Sequence, residues 1–281
     1  VWLKKTFDFI LFGSIFIACC TVAFCIQTNL VMGLPLNHFG FYVFVFGATL
    51  THYNLHYVSK KIAVENSERF NWTLSHIKTH YGLIVAGVIM IIYSLTTFKL
   101  QHFFILILLG AIAVLYSFPV MPIKSGKRIK DFGILKITTL TLLWTLVTVW
   151  FPVNQMDFDK QLFAFIFIRR FLFMFILCLL FDIRDAPVDR SQNIRTLAVW
   201  LGDKRAYTLC YMLLMVFVFL CIAESVFFPA RYFPAFLISA AATGLIINYA
   251  QKKNDDITTL AGVDGMMLLQ AILVYLFSLN L

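Results

Sequence analysis

Long apolar stretches alternate with short polar ones along the whole chain. Nine reach or approach the roughly 20 mostly apolar residues of a bilayer crossing: Phe9–Gln27, Phe39–Val58, Gly82–Thr97, Phe103–Ser117, Ile134–Phe151, Leu162–Phe181, Ala206–Phe228, Tyr232–Ala250 and Leu260–Leu279. The pattern predicts an all-α fold: a polytopic membrane bundle of about nine transmembrane helices, forming one domain over residues 1–281. The third and fourth stretches are short and meet at Thr97–His102, so they read as an αα-hairpin. Between the second and third, Asn66-Ser67-Glu68 is a helix N-terminus. The Phe70, Trp72, Leu74 and Ile77 edge predicts a short interfacial helix over the bundle, with Arg69, Asn71 and Lys78 in water.

Composition removes the soluble alternatives. Hydrophobic residues make up 61% of the chain and charged ones 13%, about half the charged share of a soluble domain. The net charge of +9 comes from basic residues scattered between apolar runs, which fits anionic lipid and excludes nucleic acid as partner. With the N-terminus cytoplasmic, eighteen of the 23 lysines and arginines fall on the cytoplasmic side. Lys99, Lys160 and Arg231 fall opposite, and Arg169 and Arg170 lie within a span, where they are expected to snorkel, to pack on a helix carbonyl or to bind an acceptor. The long loops Ser59–Tyr81, Phe118–Gly133 and Asp182–Arg205 share that cytoplasmic side, which predicts the active mouth there. Lys4-Lys5 before an apolar run resembles a signal peptide, but no small-x-small cleavage site follows, so the run is read as a helix. The six cysteines lie in apolar runs and read as small buried hydrophobes.

Candidate chemistry concentrates where the sixth stretch ends. Asp182, Asp185 and Asp189 stand at the boundary between an apolar run and a basic loop. Carboxylates there need neutralising, and a hard divalent cation such as Mg²⁺, completed by substrate phosphate, does so. Asp185 and Asp189 share a face if the helix continues through Pro187; an extended turn is the alternative. Arg184, Arg190 and Arg195 suit phosphate, with Lys124, Lys127, Arg128 and Lys130 as further cradle residues. The span-two end adds His52, Asn54 and His56. Asn54 offers an oxygen to a cation and an amide to phosphate, and the histidines suit hydrogen bonds or phosphate better than a transition metal. The two polar span ends, each before a long loop, suit a pseudo-repeat. The 31 phenylalanines supply apolar walls for an isoprenoid tail.

The segment FDIRDAPVDRSQNIRTLAVWLG, residues 181–202, resembles the second aspartate-rich motif of the UbiA superfamily of intramembrane prenyltransferases. The loop YSFPVMPIKSGKRIKDFGILK, residues 116–136, is similar to that family's Tyr-Ser, Pro and Lys-rich segment. The resemblance implies Mg²⁺-assisted transfer of a prenyl group from a polyprenyl diphosphate to a hydrophobic or aromatic acceptor. It implies Asp182, Asp185 and Asp189 as metal ligands, Tyr116 as a site aromatic, and Asn54, His56, Lys60, Lys124, Lys130 and Arg190 as substrate-binding residues. The family's first motif, N-x-x-x-D-x-x-x-D, departs here: after Asn54 its acid positions hold Val58 and Ile62. Three readings stay open. They are one metal helped by Lys60, Lys61, His52 or His56; a shifted reaction, such as terpene cyclisation; or a non-catalytic isoprenoid-binding protein.

Overall fold

A computed structural model describes residues 2–59, 67–98, 100–117, 133–154 and 156–279, with the side chains at 100–102 and 114–117 outside that description. Lys60, Lys124, Lys130 and the Tyr116 side chain, all expected at the site, therefore lie outside the described residues.

Twelve helices, and no strand, make up the described residues. They are α1 (Trp2–Phe12), α2 (Ile15–Val31), α3 (Phe39–Val58), α4 (Glu68–Ser75), α5 (Ile77–Leu95), α6 (Leu100–Ser117), α7 (Gly133–Val153), α8 (Lys160–Ser191), α9 (Leu197–Leu201), α10 (Asp203–Phe227), α11 (Ala230–Lys252) and α12 (Thr258–Leu279). Each of the nine apolar stretches lies on a helix. Among the described residues six helices are long and apolar enough to cross a membrane, and α1 with α2 makes a seventh if that pair, bent by 58°, is one span. The first stretch is thus not one straight helix. It breaks at Ser14, whose φ of 65° lies in the left-handed region.

A buried polar chain holds that break. The Asn54 amide donates to the carbonyls of Gly13 (2.9 Å) and Leu50 (2.8 Å), and its oxygen pairs with His80 Nδ1. Since that oxygen only accepts, Nδ1 carries the proton and, in the neutral ring, Nε2 accepts from the Thr73 hydroxyl at 3.1 Å. One asparagine thus ties the α1–α2 corner to α3, α5 and α4.

Helices α3 and α5 cross closely because Gly47 and Gly87 face each other. A Cβ on Gly87 would stand 2.8 Å from the Gly47 carbonyl oxygen and against the Thr51 hydroxyl, a contact that only small residues allow. Gly87→Val is expected to lower stability by about 1–3 kcal/mol, measured by thermal unfolding in detergent, while Gly82→Ala, with open space around it, leaves it unchanged.

The longest helix, α8, has 32 residues, about 48 Å at 1.5 Å per residue. It outruns a hydrocarbon layer of about 30 Å, so its last turns carry the aspartates out of the apolar zone. Asp159 caps its start, accepting from the amides of Gln161 (2.7 Å) and Leu162 (3.1 Å). Its end is set by Asn193, with φ of 56°, while the Ile194 amide closes back on the Asp189 carbonyl at 2.8 Å; asparagine tolerates this left-handed turn. The helix runs through Pro187, which resolves the open choice: all three aspartates ride one helix.

Arg169 and Arg170 do not snorkel. They are 4% and 5% exposed. Arg169 pairs with Glu224 of α10 and lies over the Phe236 ring at 3.7 Å. Arg170 donates to Gln27 Oε1 at 2.8 Å and lies over the Phe24 ring at 3.6 Å. Side chains from neighbouring helices satisfy both guanidiniums, so neither needs to reach for water.

Candidate diphosphate cavity

A cavity of about 530 Å³ opens between α2, α3, α4, α7, α8 and α12, within the size range of small-molecule sites. Its polarity is graded by two antiparallel helices. Along α7 the lining runs from Lys136 through Ile137 and Leu140 to Trp144. Along α8 it runs from Asp189, Asp185 and Asp182 back through Cys178 and Leu177 to Met174. One end is charged and the other apolar, with Phe16, Ile17 and Met267 closing the apolar side.

At the charged end the aspartates separate into two systems. Lys136 Nζ bridges Asp182 Oδ1 (2.9 Å) and Asp189 Oδ2 (3.1 Å), which stand seven residues apart, on one face of α8. Lys136 reaches them because Gly133, at the start of α7, packs directly under the Arg195 carbonyl, where any side chain would collide. Asp182 Oδ2 is buried and has no hydrogen-bond partner among the described residues. Asp185 instead accepts from Arg184 Nε at 2.8 Å. The same guanidinium contacts Asp256 (3.5 Å) and the Thr259 hydroxyl (2.9 Å).

Asp256 continues the network to α4. Its Oδ2 accepts from the Ser67 hydroxyl (2.8 Å) and the Arg69 amide (3.1 Å), while Ser67 caps α4 by accepting from the Phe70 amide. This fixes the predicted short helix across the cavity, with Trp72 against Phe12 and Leu74 exposed. Arg69, expected in water, is 3% exposed instead. It donates to Ser14 Oγ at 2.9 Å and lies 3.4 Å over the Tyr57 ring. Burial lowers its pKa from the usual arginine range, opposed by Tyr57, Asp264 and Asp256.

Of the other residues expected here, His52 and His56 line the cavity. Two do not fit their expectation. Asn54 is fully buried and committed to the structural chain described above. Arg190 is exposed and does not line the cavity; it lies one residue past Asp189, which turns it to another face of α8. Three residues went unrecognised in the sequence as cavity groups. Lys136 was counted only as a loop-side positive charge. Arg69 was assigned to solvent. Asp264, inside an apolar stretch, was overlooked although an ionisable residue there is a signal. Its carboxylate lines the cavity with no hydrogen bond or ion pair among the described residues, just after the π-helical turn Thr258–Val263 of α12.

Mg²⁺ can be tested against this donor set. Among the described residues no three His, Cys, Asp or Glu side chains form a group that would hold a metal ion, so the expected trio does not act as one ligand set. Asp185 belongs to Arg184. Asp182 and Asp189 fit a hard divalent cation better: one oxygen of the pair is orphaned, and the described lining carries four carboxylates (Asp182, Asp185, Asp189, Asp264) against three cations (Arg69, Lys136, Arg184). A buried anionic excess favours a cation.

No protein-family model and no curated protein sequence matches the chain. Solved structures do. A UbiA homologue from Archaeoglobus fulgidus bound to GPP and Mg²⁺ superposes with a TM-score of 0.65 at 12% identity, over 96% of this chain and 98% of that one. A structure of digeranylgeranylglyceryl phosphate synthase gives 0.57 at 12%, over 99% and 98%. An apo UbiA homologue from Aeropyrum pernix K1 gives 0.56 at 15%, over 92% and 94%. The fold is therefore that of a multi-pass membrane bundle of the UbiA type, and the sequence resemblance noted above points to the same superfamily.

Proposed function

We propose that this cavity holds a prenyl diphosphate and that the protein transfers its prenyl group to a hydrophobic or aromatic acceptor. The observation carrying this reading is the graded cavity: a charged end built on α7 and α8 above an apolar chamber. Proteins of the same fold are seen bound to GPP or DMAPP with Mg²⁺.

The diphosphate lies at Lys136, Asp182 and Asp189, and the tail runs toward Trp144 and Met174. Asp182 and Asp189 would hold Mg²⁺, which supplies positive charge to the leaving diphosphate oxygen. Arg184 keeps Asp185 and Asp256 compensated, so the charged end stays ordered. Trp144 and Tyr53 present aromatic faces to an allylic cation as the carbon–oxygen bond opens. Asp264 accepts a polar hydrogen of the acceptor across the cavity. Lys60, Lys124 and Lys130 belong to loops that the resemblance assigns to diphosphate, and the balance of lysine and arginine puts this mouth on the cytoplasmic side.

A second reading has its own support. Val58 and Ile62 replace both acids of the first motif, and Lys136 already satisfies Asp182 and Asp189, which suits a protein that binds isoprenoid without turning it over. Purified protein in lipid nanodiscs, given labelled geranyl diphosphate, Mg²⁺ and a panel of phenolic and lipid acceptors, separates the two. Prenyl transfer predicts diphosphate release, a prenylated product and a loss of about 10²–10³-fold in Asp189→Asn, the size of a lost electrostatic stabiliser. Binding without release supports the non-catalytic reading, and a terpene product without acceptor identifies a cyclase.

A further inference from the structure

Lys136 stands where a cation shared by Asp182 and Asp189 would stand, and the cavity nevertheless carries more carboxylates than cations. These two facts are reconciled if the lysine is a placeholder. We infer that Lys136 exchanges partners: it neutralises Asp182 and Asp189 while the cavity is empty of phosphate and moves to the diphosphate when one arrives, and only then do the two aspartates accept a divalent cation. The inference rests on the proposed diphosphate site and adds a positioning residue and an order of binding to it.

The chemistry of the side chain favours such an exchange. Lys136 reaches the carboxylates from α7 on a flexible four-carbon stem, and its ammonium is a point charge with three donors rather than a rigid fork. Its side chain keeps 17% exposure, more than those of Asp182 (7%) and Asp189 (12%), so it is the most accessible member of the triad. An incoming phosphate, richer in charge than either carboxylate, competes for it. Once it leaves, two neighbouring buried carboxylates lack their common partner, an arrangement that strongly demands a replacement cation. The orphaned Asp182 Oδ2 then supplies a ligand atom that Lys136 never used. Arg184 cannot play this part, because Asp185, Asp256 and Thr259 hold it from three sides.

Mn²⁺ binding followed by electron paramagnetic resonance, with and without geranyl thiodiphosphate, tests the exchange on the full-length protein in nanodiscs. Wild type is expected to bind Mn²⁺ at least ~10-fold more tightly with the analogue than without it; by linkage the analogue gains equally from Mn²⁺. Lys136→Gln is expected to bind Mn²⁺ without the analogue and to lose most of that coupling. Lys136→Arg, whose fork grips carboxylates more firmly, is expected to bind Mn²⁺ weakly in both conditions; it keeps the triad's charge, so it serves even if Lys136→Gln fails to fold. Equal Mn²⁺ affinity with and without the analogue in wild type, or Lys136→Arg indistinguishable from wild type, overturns the exchange while leaving the diphosphate site standing. Absence of analogue binding under every condition overturns the diphosphate site itself, and the exchange with it.

Discussion

Arg184→Met is expected to destabilise the protein by about 3–5 kcal/mol and to abolish diphosphate binding. The size follows from what one guanidinium compensates. Arg184 holds Asp185 at 2.8 Å and Asp256 at 3.5 Å, with side chains only 25% and 12% exposed. Removing one partner of a buried ion pair leaves the other charged and desolvated, which costs far more than the intact pair contributes. Here two carboxylates are left at once. Asp256 also anchors Ser67 and the Arg69 amide, so α4 is expected to come loose from the cavity. Thermal unfolding reads the stability, and limited proteolysis near Ser67 reads the loosening. Arg184→Lys restores one contact of the three and should recover part of the stability. An unchanged midpoint in Arg184→Met would show that solvent, rather than the guanidinium, compensates both acids.

At the opposite half of α8, Arg169→Met alone and Glu224→Gln alone are each expected to cost about 3–5 kcal/mol, whereas Arg169→Met with Glu224→Met together is expected to be near neutral. The Arg169–Glu224 pair bridges α8 and α10 inside the bundle, its side chains 5% and 12% exposed. Each charge is tolerated there only because of the other. Two apolar side chains of similar volume dispense with both desolvation penalties, so the double variant escapes what each single variant suffers. Unfolding midpoints of the four proteins complete a double-mutant cycle. Additive losses would place these two residues outside any mutual dependence. Because the pair lies off the cavity, prenyl diphosphate binding by the double variant is expected to match wild type.

The sequence disclosed the fold far better than the site. Nine apolar stretches each became a helix because in a membrane every backbone polar group must be satisfied within its own segment, and such segments read directly from hydrophobicity. Ser67 was legible as a cap because capping is local. The straightness of the first stretch was not legible: a left-handed Ser14 leaves no pattern, and the broken corner is held by Asn54 from another helix. At the site, Asp182 and Asp189 were visible as charges at an apolar boundary. Their grouping was not, because nothing in the spacing of three aspartates says that Lys136 will join the first to the third while Arg184 takes the second. Arg69 and Asn54 changed places for the same reason. The arginine looked solvated on an amphipathic helix and is buried on Tyr57; the asparagine looked free for ligand and is consumed by backbone carbonyls.

By itself, then, the order of residues determined an α-helical membrane bundle and the helix that brings carboxylates to its polar end, since length, hydrophobicity and capping act over neighbours in the chain. The tertiary structure alone decided which cation each carboxylate meets, which oxygen is left without a donor, and that α4 closes over a chamber running from charge to hydrocarbon. Coulomb attraction and desolvation depend on distance in space, and residues 136 and 182 lie far apart in the chain until α7 and α8 pack.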